Sequence, residues 1–271
     1  MYLGWAETEM TITEKNITIN SALLNRAVTC TLLMPDEQDI TEPLSLLLLN
    51  DGQELESLAL TQTLEQLYNN NKLKPILVAA IHAGEDRLQE YGVAGKPDFK
   101  KRGAKADSYA QFIITELLPQ IKAVAGITEF DSMAYAGFSL GGLSAFDISW
   151  SNAGVFDKVG VFSGAFWWRS KDLTSGYTDN DRIAHTLVKE TAGKPNLKFW
   201  LQTGTKDETS DRNNNGIIDA IDDTIDLIKE LEAKGYSRPA DIQYMEVVGG
   251  SHNTETWGRV MSKFLCWAFG R

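Results

Sequence analysis

Gly137-Phe138-Ser139-Leu140-Gly141, followed at once by Gly142, sets a serine between small residues in a G-x-S-x-G pattern. A serine hydroxyl is a poor nucleophile until a neighbouring base takes its proton, so the pattern means little without its context. Here the β-rich run Met133–Phe138 precedes it and the apolar segment from Leu143 to Trp150 follows it. That order predicts a sharp strand-to-helix turn, which holds the serine strained and exposed while the glycines let the helix approach the strand. The N–H of Leu140, at the start of the helix, would then face an oxyanion, assisted by the partial positive charge of the helix N-terminus.

Such a serine needs a base and an acid. The chain holds three histidines. His252 lies in Gly249-Gly250-Ser251-His252, beyond the last strand and before the last helix, which gives the order serine, acid, histidine. His185 falls in a helical segment and reads as a surface or packing residue. His82 ends the strand Pro75–Ile81 and is a candidate for the same cleft, although no acid follows it in the required order. The acid is expected on the loop after Leu197–Thr203, where Gly204-Thr205-Lys206-Asp207-Glu208 makes Asp207 the first choice, with Glu208 and Asp211 as rivals. A second oxyanion donor is expected in Asn50-Asp51-Gly52-Gln53-Glu54. There Gly52 permits a tight backbone and the amide of Gln53 is a plausible donor, its neighbours remaining open. Trp167 and Trp168 are candidates for the cleft wall; being adjacent, at most one of them faces substrate.

These residues need a frame. Strands are expected at Thr11–Ile19, Arg26–Met34, Leu44–Asn50, Pro75–Ile81, Met133–Phe138, Lys158–Phe162, Leu197–Thr203 and Ile242–Val248. The first two alternate in polarity across a short polar turn and read as an antiparallel hairpin. The later runs are continuously apolar, as strands buried on both faces of a parallel sheet must be. Helical spacing relates Tyr109, Phe112, Ile113, Leu117 and Ile121. It also relates Ile221, Ile225, Ile228 and Leu231, and Trp257, Val260, Met261, Phe264, Leu265 and Ala268. The expectation is one α/β domain over residues 1–271, with a mostly parallel eight-stranded sheet, helices on both faces and its chemistry at the carboxyl ends of the strands.

A net charge of −11 repels phosphate backbones and anionic lipid, so nucleic acid is excluded as an expected partner. Cys30 and Cys266 lie far apart in apolar stretches and read as buried free thiols. No apolar run is long enough to span a membrane, and Met1 to Met10 carry no basic segment followed by an apolar core. A cytoplasmic protein acting on a small-molecule ester is the expectation, with oligomeric state not legible.

With these residues placed, the chain resembles the esterase D-like α/β-hydrolases, and within them the enterochelin-esterase-like branch, from about Leu44 to the C-terminus. The likeness rests on LLLLNDGQEL, on IHAGEDRLQEY with ELLPQI, on AGFSLGGLSAF, on VGVFSGAFWW, and on GTKDE with GGSHNTETW. It implies the α/β-hydrolase fold and ester hydrolysis by a serine, histidine and aspartate triad, without an organic cofactor. Ser139, His252 and Asp207 match those roles. Arg87, Glu90 and Tyr91 resemble an arginine-acid stretch bordering the cleft in that branch, and read best as a structural ion pair. The family spans siderophore trilactones, feruloylated sugars, S-formylglutathione and mycolyl transfer, so the likeness bears on the reaction more than on the substrate. A trianionic iron-catecholate would call for several cationic side chains, which a charge of −11 does not advertise.

One further segment stands apart. Asp211-Arg212-Asn213-Asn214-Asn215-Gly216-Ile217-Ile218-Asp219-Ala220-Ile221-Asp222 follows the D-x-[DN]-x-[DN]-G pattern of a calcium loop. Side-chain oxygens of Asp211, Asn213, Asn215 and Asp222, with the carbonyl of Ile217, could converge on one hard cation after a sharp reversal at Gly216. The segment resembles an EF-hand or dockerin loop, but has Asp222 instead of a bidentate glutamate and no clear preceding helix. A structural Ca2+ is expected there, fixing the loop that carries Asp207. Without it Asp211, Asp219, Asp222 and Asp223 are expected to repel one another. Two competing readings remain: an acyltransferase or peptidase on the same triad, and a non-catalytic, calcium-dependent binding module.

Overall fold

The structure, a computed structural model, describes residues 11–36 and 42–271; the leader reading of Met1 to Met10 lies outside them. Eight strands form one sheet. In chain order the elements are β1 (Ile12–Ser21), β2 (Arg26–Pro35), β3 (Ser45–Asn50), α1 (Leu60–Asn69), β4 (Ile76–Ile81), α2 (Arg87–Glu90), α3 (Ala106–Phe112), α4 (Leu118–Ala125), β5 (Met133–Phe138), α5 (Leu140–Ser151), β6 (Lys158–Phe162), α6 (Ile183–Glu190), β7 (Lys198–Lys206), α7 (Asp219–Ala233), β8 (Ile242–Ser251) and α8 (Thr254–Phe269). The strand order is β1-β2-β4-β3-β5-β6-β7-β8. Strands β1 and β2 pair antiparallel and β2 meets β4 antiparallel, while every other pairing is parallel. This is the α/β-hydrolase architecture expected from the sequence.

The continuously apolar strands are buried on both faces. In β3, Leu46 and Leu48 join one apolar layer and Leu47 and Leu49 the other, all four fully buried. Each such leucine stabilises the fold by about 2 kcal/mol through area removed from water. The α3–α4 segment, α5 and α7 contribute to the first layer, and α1 and α8 to the second. The single stripe read from Tyr109 to Ile121 is interrupted by a π-turn at Ile113–Leu117, which re-aims the face yet keeps Ile113, Leu117 and Ile121 buried. Cys30 is buried as expected, but Cys266 is only partly so. Among the described residues no helix is long and apolar enough to cross a membrane.

Candidate active site

Ser139 stands between β5 and α5 with φ 54° and ψ −123°. A residue with a Cβ held at positive φ costs about 1–3 kcal/mol, and persists only where its surroundings over-determine it. They do so here. The Ser139 N–H donates to Phe162 O at 2.9 Å, and the Ser139 carbonyl accepts from Gly142, Leu143 and Ala165 N–H. A Cβ at Gly137 would lie 2.4 Å from Gly141 O, and one at Gly142 2.9 Å from Gly137 O, so only glycines let the helix sit this close to the strand. The N–H of Leu140 opens the helix and has no protein acceptor among the described residues.

The adjacent strand β3 ends in a second turn. Asp51 takes the left-handed conformation (φ 63°) that the sequence suggested for the tight backbone near Gly52. Gly52 is needed for closeness instead, because a Cβ there would lie 2.5 Å from Ala80 O and 2.8 Å from His82 Cδ2. The Gln53 N–H is likewise free of protein acceptors among the described residues, while its side chain spans from Asp51 to Ala83 N–H. Buried Asn50 locks this turn to the serine elbow: its Nδ2 donates to Gly141 O at 2.8 Å, and its Oδ1 accepts from Tyr109 and Tyr135 hydroxyls at 2.7 and 2.8 Å. Asp51, also buried, holds a bidentate ion pair with Arg87 at 2.7 and 2.9 Å.

The base and acid meet through strand register. Strand β7 pairs with β8 up to Gly204↔Val247, slips, and resumes at Lys206↔Ser251. Asp207 and His252 are each the next residue past that last pair. The slip is built from glycines: Gly249 has φ 73°, and a Cβ at Gly204 would lie 2.4 Å from Gly250 O. Asp207 Oδ2 accepts from Gly204 N–H at 2.9 Å, while its Oδ1 is buried without a partner. That orphan oxygen is the acceptor an imidazole N–H requires. A cavity of about 260 Å³ holds Ser139, Asp207 and His252 together with Ser163, Trp167 and Glu208. The three side chains are not hydrogen-bonded to one another, a looseness common in active sites before substrate draws such groups together.

Burial lowers the pKa of His252 below its ordinary 6.5, against the raising effect of Asp207 and with a smaller lowering from Arg87. The imidazole is therefore neutral, and able to accept a proton, at pH 7. Glu208, the rival acid, lines the same cavity one residue farther along the chain. Burial raises its pKa.

A second opening beside the serine, about 490 Å³, is walled by Gln53, Arg87, Phe138, His252 and Trp257 among others. Arg87 therefore faces this opening while paired with Asp51, and the ion pair expected within the Arg87–Tyr91 stretch is not formed there, because Glu90 is engaged with Arg26 at 2.6 and 2.7 Å. Of the two tryptophans, Trp167 lines the smaller cavity, while Trp168 is fully buried and donates to Lys96 O. One sequence expectation about the histidines needs correction. His82 does not share the serine's cleft: it lies across Gly52 in a separate cavity with Glu14, Asn16 and Thr31, its Nε2 2.8 Å from Thr31 Oγ1. Of the two readings given for His185, packing holds: it is buried with Nε2 2.8 Å from Asp223 O, and burial pushes its pKa down to about 3.

The expected mutual repulsion of the acids after Asp207 is also corrected. Arg212 reaches Asp219 and Asp223 at 2.9 Å each, and Arg182 reaches Asp223 at 2.8 Å and Asp226 at 2.9 Å. Asp211 accepts from Asn215 and Gly216 N–H, and Asp222 accepts from the side-chain amides of Asn213 and Asn215 at 3.0 and 2.7 Å. The loop is thus folded on itself, with Ile217 exposed. Among the described residues no cluster of three or more His, Cys, Asp or Glu side chains stands ready for a metal. Sequence reasoning passed over Asn50 and Asp51 as anchors, Ser163, and the contacts of Trp257. Only the position of Asn50-Asp51 at a strand end hinted at the first two.

The comparisons agree with this fold. The family described as "Putative esterase" matches residues 21–267. An enterobactin esterase of Shigella flexneri, crystallised in the presence of enterobactin, superposes with TM-score 0.71 at 21% identity over 98% of this chain, which spans 61% of that protein's length. A ferulic acid esterase gives 0.70 at 17% identity, covering 96% and 98% of the two chains. A siderophore hydrolase from Aspergillus nidulans gives 0.67 at 17%, covering 93% of each. No curated protein sequence matches. At these identities the structural likeness speaks for the fold.

Proposed function

Because this chain belongs to that esterase family, we propose that it hydrolyses a small-molecule carboxylic ester through an acyl-enzyme on Ser139, with His252 as base and Asp207 as its acid partner. In this reading Ser139 Oγ attacks the ester carbonyl carbon as its proton passes to His252. The oxyanion so formed is met by the free N–H groups of Leu140 and Gln53. Collapse expels the alcohol, which leaves with the proton held by His252, and the acyl group stays on Ser139. Water then attacks, losing a proton to His252; the acid departs and Ser139 regains its hydrogen. Asp207 holds the imidazole and stabilises its charged form.

The observation that carries the reading is the β7–β8 register, which sets Asp207 beside His252 in a cavity shared with the strained serine. A non-catalytic binder would have no use for this arrangement. Water or a second acyl acceptor distinguishes a hydrolase from a transferase. The test is a panel of short acyl esters, a feruloyl ester and a catechol trilactone, with Ser139→Ala as control and added alcohols or amines as acceptors. A wild-type rate from folded Ser139→Ala sinks the proposal.

The residues of 211–222 bear on calcium as well. Asp211 and Asp222 offer carboxylates, Asn213 and Asn215 amide oxygens, and Ile217 a carbonyl, an all-oxygen set suited to Ca2+. Asp219, at the ninth position, is committed to Arg212. The amides of Asn213 and Asn215 already converge on Asp222. Two carboxylates make this a weak site. We assign Ca2+ there a structural role only, with no part in the ester chemistry.

A further inference from the structure

The imidazole of His252 makes no hydrogen bond to any described residue, and an aromatic side chain packs against it. That packing comes from Trp257, in the first turn of α8. The indole meets the His252 ring nearly at right angles, with centroids 5.3 Å apart and planes at 80°. It stacks on Phe138, the residue before the nucleophile, at 4.9 Å and 23°. Its Nε1–H donates to Ser163 Oγ at 2.9 Å in a buried contact. One side chain therefore touches the ends of β5 and β6 and the residue that follows β8.

Ser163 is itself unusual. It is the first residue past β6, fully enclosed, and held at φ 49°. Its N–H donates to Gln202 O at 2.8 Å, just as Ser139 N–H donates to Phe162 O one strand away. Glycine would take that backbone conformation without strain. A serine there retains a use for its hydroxyl, and the bond in view is the one from Trp257.

We propose that Trp257, oriented by its hydrogen bond to Ser163, is the positioning residue that sets the His252 imidazole against Ser139. An indole stacked on Phe138 could still slide in its plane; the Nε1–H bond removes that freedom and so fixes the ring against which the imidazole packs. The inference rests on the triad reading above, so its test needs a readout independent of turnover.

The variants are Trp257→Phe, which keeps an aromatic ring but loses Nε1–H, and Ser163→Gly, which loses the hydroxyl and relieves the backbone. Two quantities are measured: the rate of Ser139 labelling by a fluorophosphonate, followed by mass spectrometry, and the His252 titration by NMR, assigned with His252→Ala. The charged groups around the imidazole, Asp207 and Glu208 on one side and Asp51, Glu54 and Arg87 on the other, are the same in all variants. Each variant should label about tenfold more slowly, the scale of a misplaced catalytic group. His252 should titrate higher, because a loosened ring regains water and burial is the main cause of its lowered pKa. The double variant should be no worse than the poorer single, since both act through one bond. Unchanged labelling and titration in either folded variant overturns the proposal, and so do additive losses in the double. Failure of wild type to label at Ser139, with His252 still shifted by Trp257→Phe, would count against the triad while supporting the contact.

Discussion

The two halves of the site are built from different forces. On the nucleophile side, Asp51, Ser139 and Ser163 follow three strands at positive φ, held by backbone hydrogen bonds, the buried amide of Asn50 and glycines with no room for a Cβ. On the acid side, Asp207 stands at the head of a segment held by charge, in which Arg212 with Arg182 neutralises Asp219, Asp223 and Asp226. Steric and backbone constraints are insensitive to salt and pH. Ion pairs, even partly buried, are not. The nucleophile's geometry should therefore survive conditions that loosen the acid.

The largest expected effect falls on the first half. Ser139→Ala should lower kcat on the order of 10⁴ to 10⁶, and His252→Ala nearly as much, because the two act as one unit. Neither should disturb melting, since the glycines and Asn50 carry the packing. In wild type, kcat/KM should fall as pH drops through the pKa of His252, because the protonated ring cannot accept the serine's proton. Burial places that limb below 6.5. An acid limb above 7 would contradict the environment described.

Next in size is the choice of acid. Asp207→Asn should cost roughly 10³ to 10⁴ in kcat, as loss of a triad carboxylate does. Glu208→Gln should cost less than tenfold in rate, since Glu208 lines the cavity but Asp207, not Glu208, is the residue next past the last β7–β8 pair. If Glu208→Gln is the slower enzyme, the register argument has chosen the wrong residue.

How much of this was legible in the chain is itself divided along the same line. The eight strands, the serine turn and the order of the triad follow from local rules: apolar runs, glycines and a strand-to-helix break. The cavity separating His82 from Ser139 does not, because Gly52 must first be packed on Ala80 before the two sides of the turn are distinguishable. Nor was the pairing of Arg212 and Arg182 with Asp219 and Asp223, residues up to 41 positions apart. Counting acids in the segment after Asp207 suggested repulsion; the cations that relieve it are Arg212 within the segment and Arg182, just before α6. Trp257 reads as one more core residue in a helical stripe, and its contacts with Phe138, Ser163 and His252 exist only once three strand ends are side by side.

A test of the acid half's electrostatic construction is Arg212→Met. The arginine side chain is 9% exposed and Asp223 1% exposed, so removing the cation leaves a buried carboxylate with only Arg182 to balance it. Breaking a buried pair on one side costs about 3–5 kcal/mol. Asp223 already sits high, at about 6, because burial outweighs its arginines. Losing Arg212 should raise it further, and the variant should then recover stability as pH falls. The sign follows from linkage: a carboxyl with folded pKa above its unfolded value binds more protons when folded, so acid favours the native state between the two values. Melting measured at pH 5.5 and 8 in wild type and variant reads this. Equal losses at both pH values would mean that Arg212 acts by packing.

The smallest expected effect is calcium's. Had the acids of 211–223 been left to repel one another, a cation would be essential to the loop. With Arg212 and Arg182 present, and Asp222 held by the amides of Asn213 and Asn215, it is an addition to a loop already closed. Two carboxylates and amide oxygens belong to the weaker end of calcium sites. Millimolar calcium should accordingly raise Tm by on the order of a few degrees through mass action, and EDTA should return it. The ester rate at room temperature should hardly change. Asp211→Ala should abolish the shift, because that carboxylate both offers a ligand and accepts the N–H groups of Asn215 and Gly216 that shape the turn. Asp219→Asn should retain it, since Asp219 is spoken for by Arg212. This last variant separates the two cation systems: if the calcium shift vanishes in Asp219→Asn but persists in Asp211→Ala, the ion sits among the buried acids and the loop is only a polar turn.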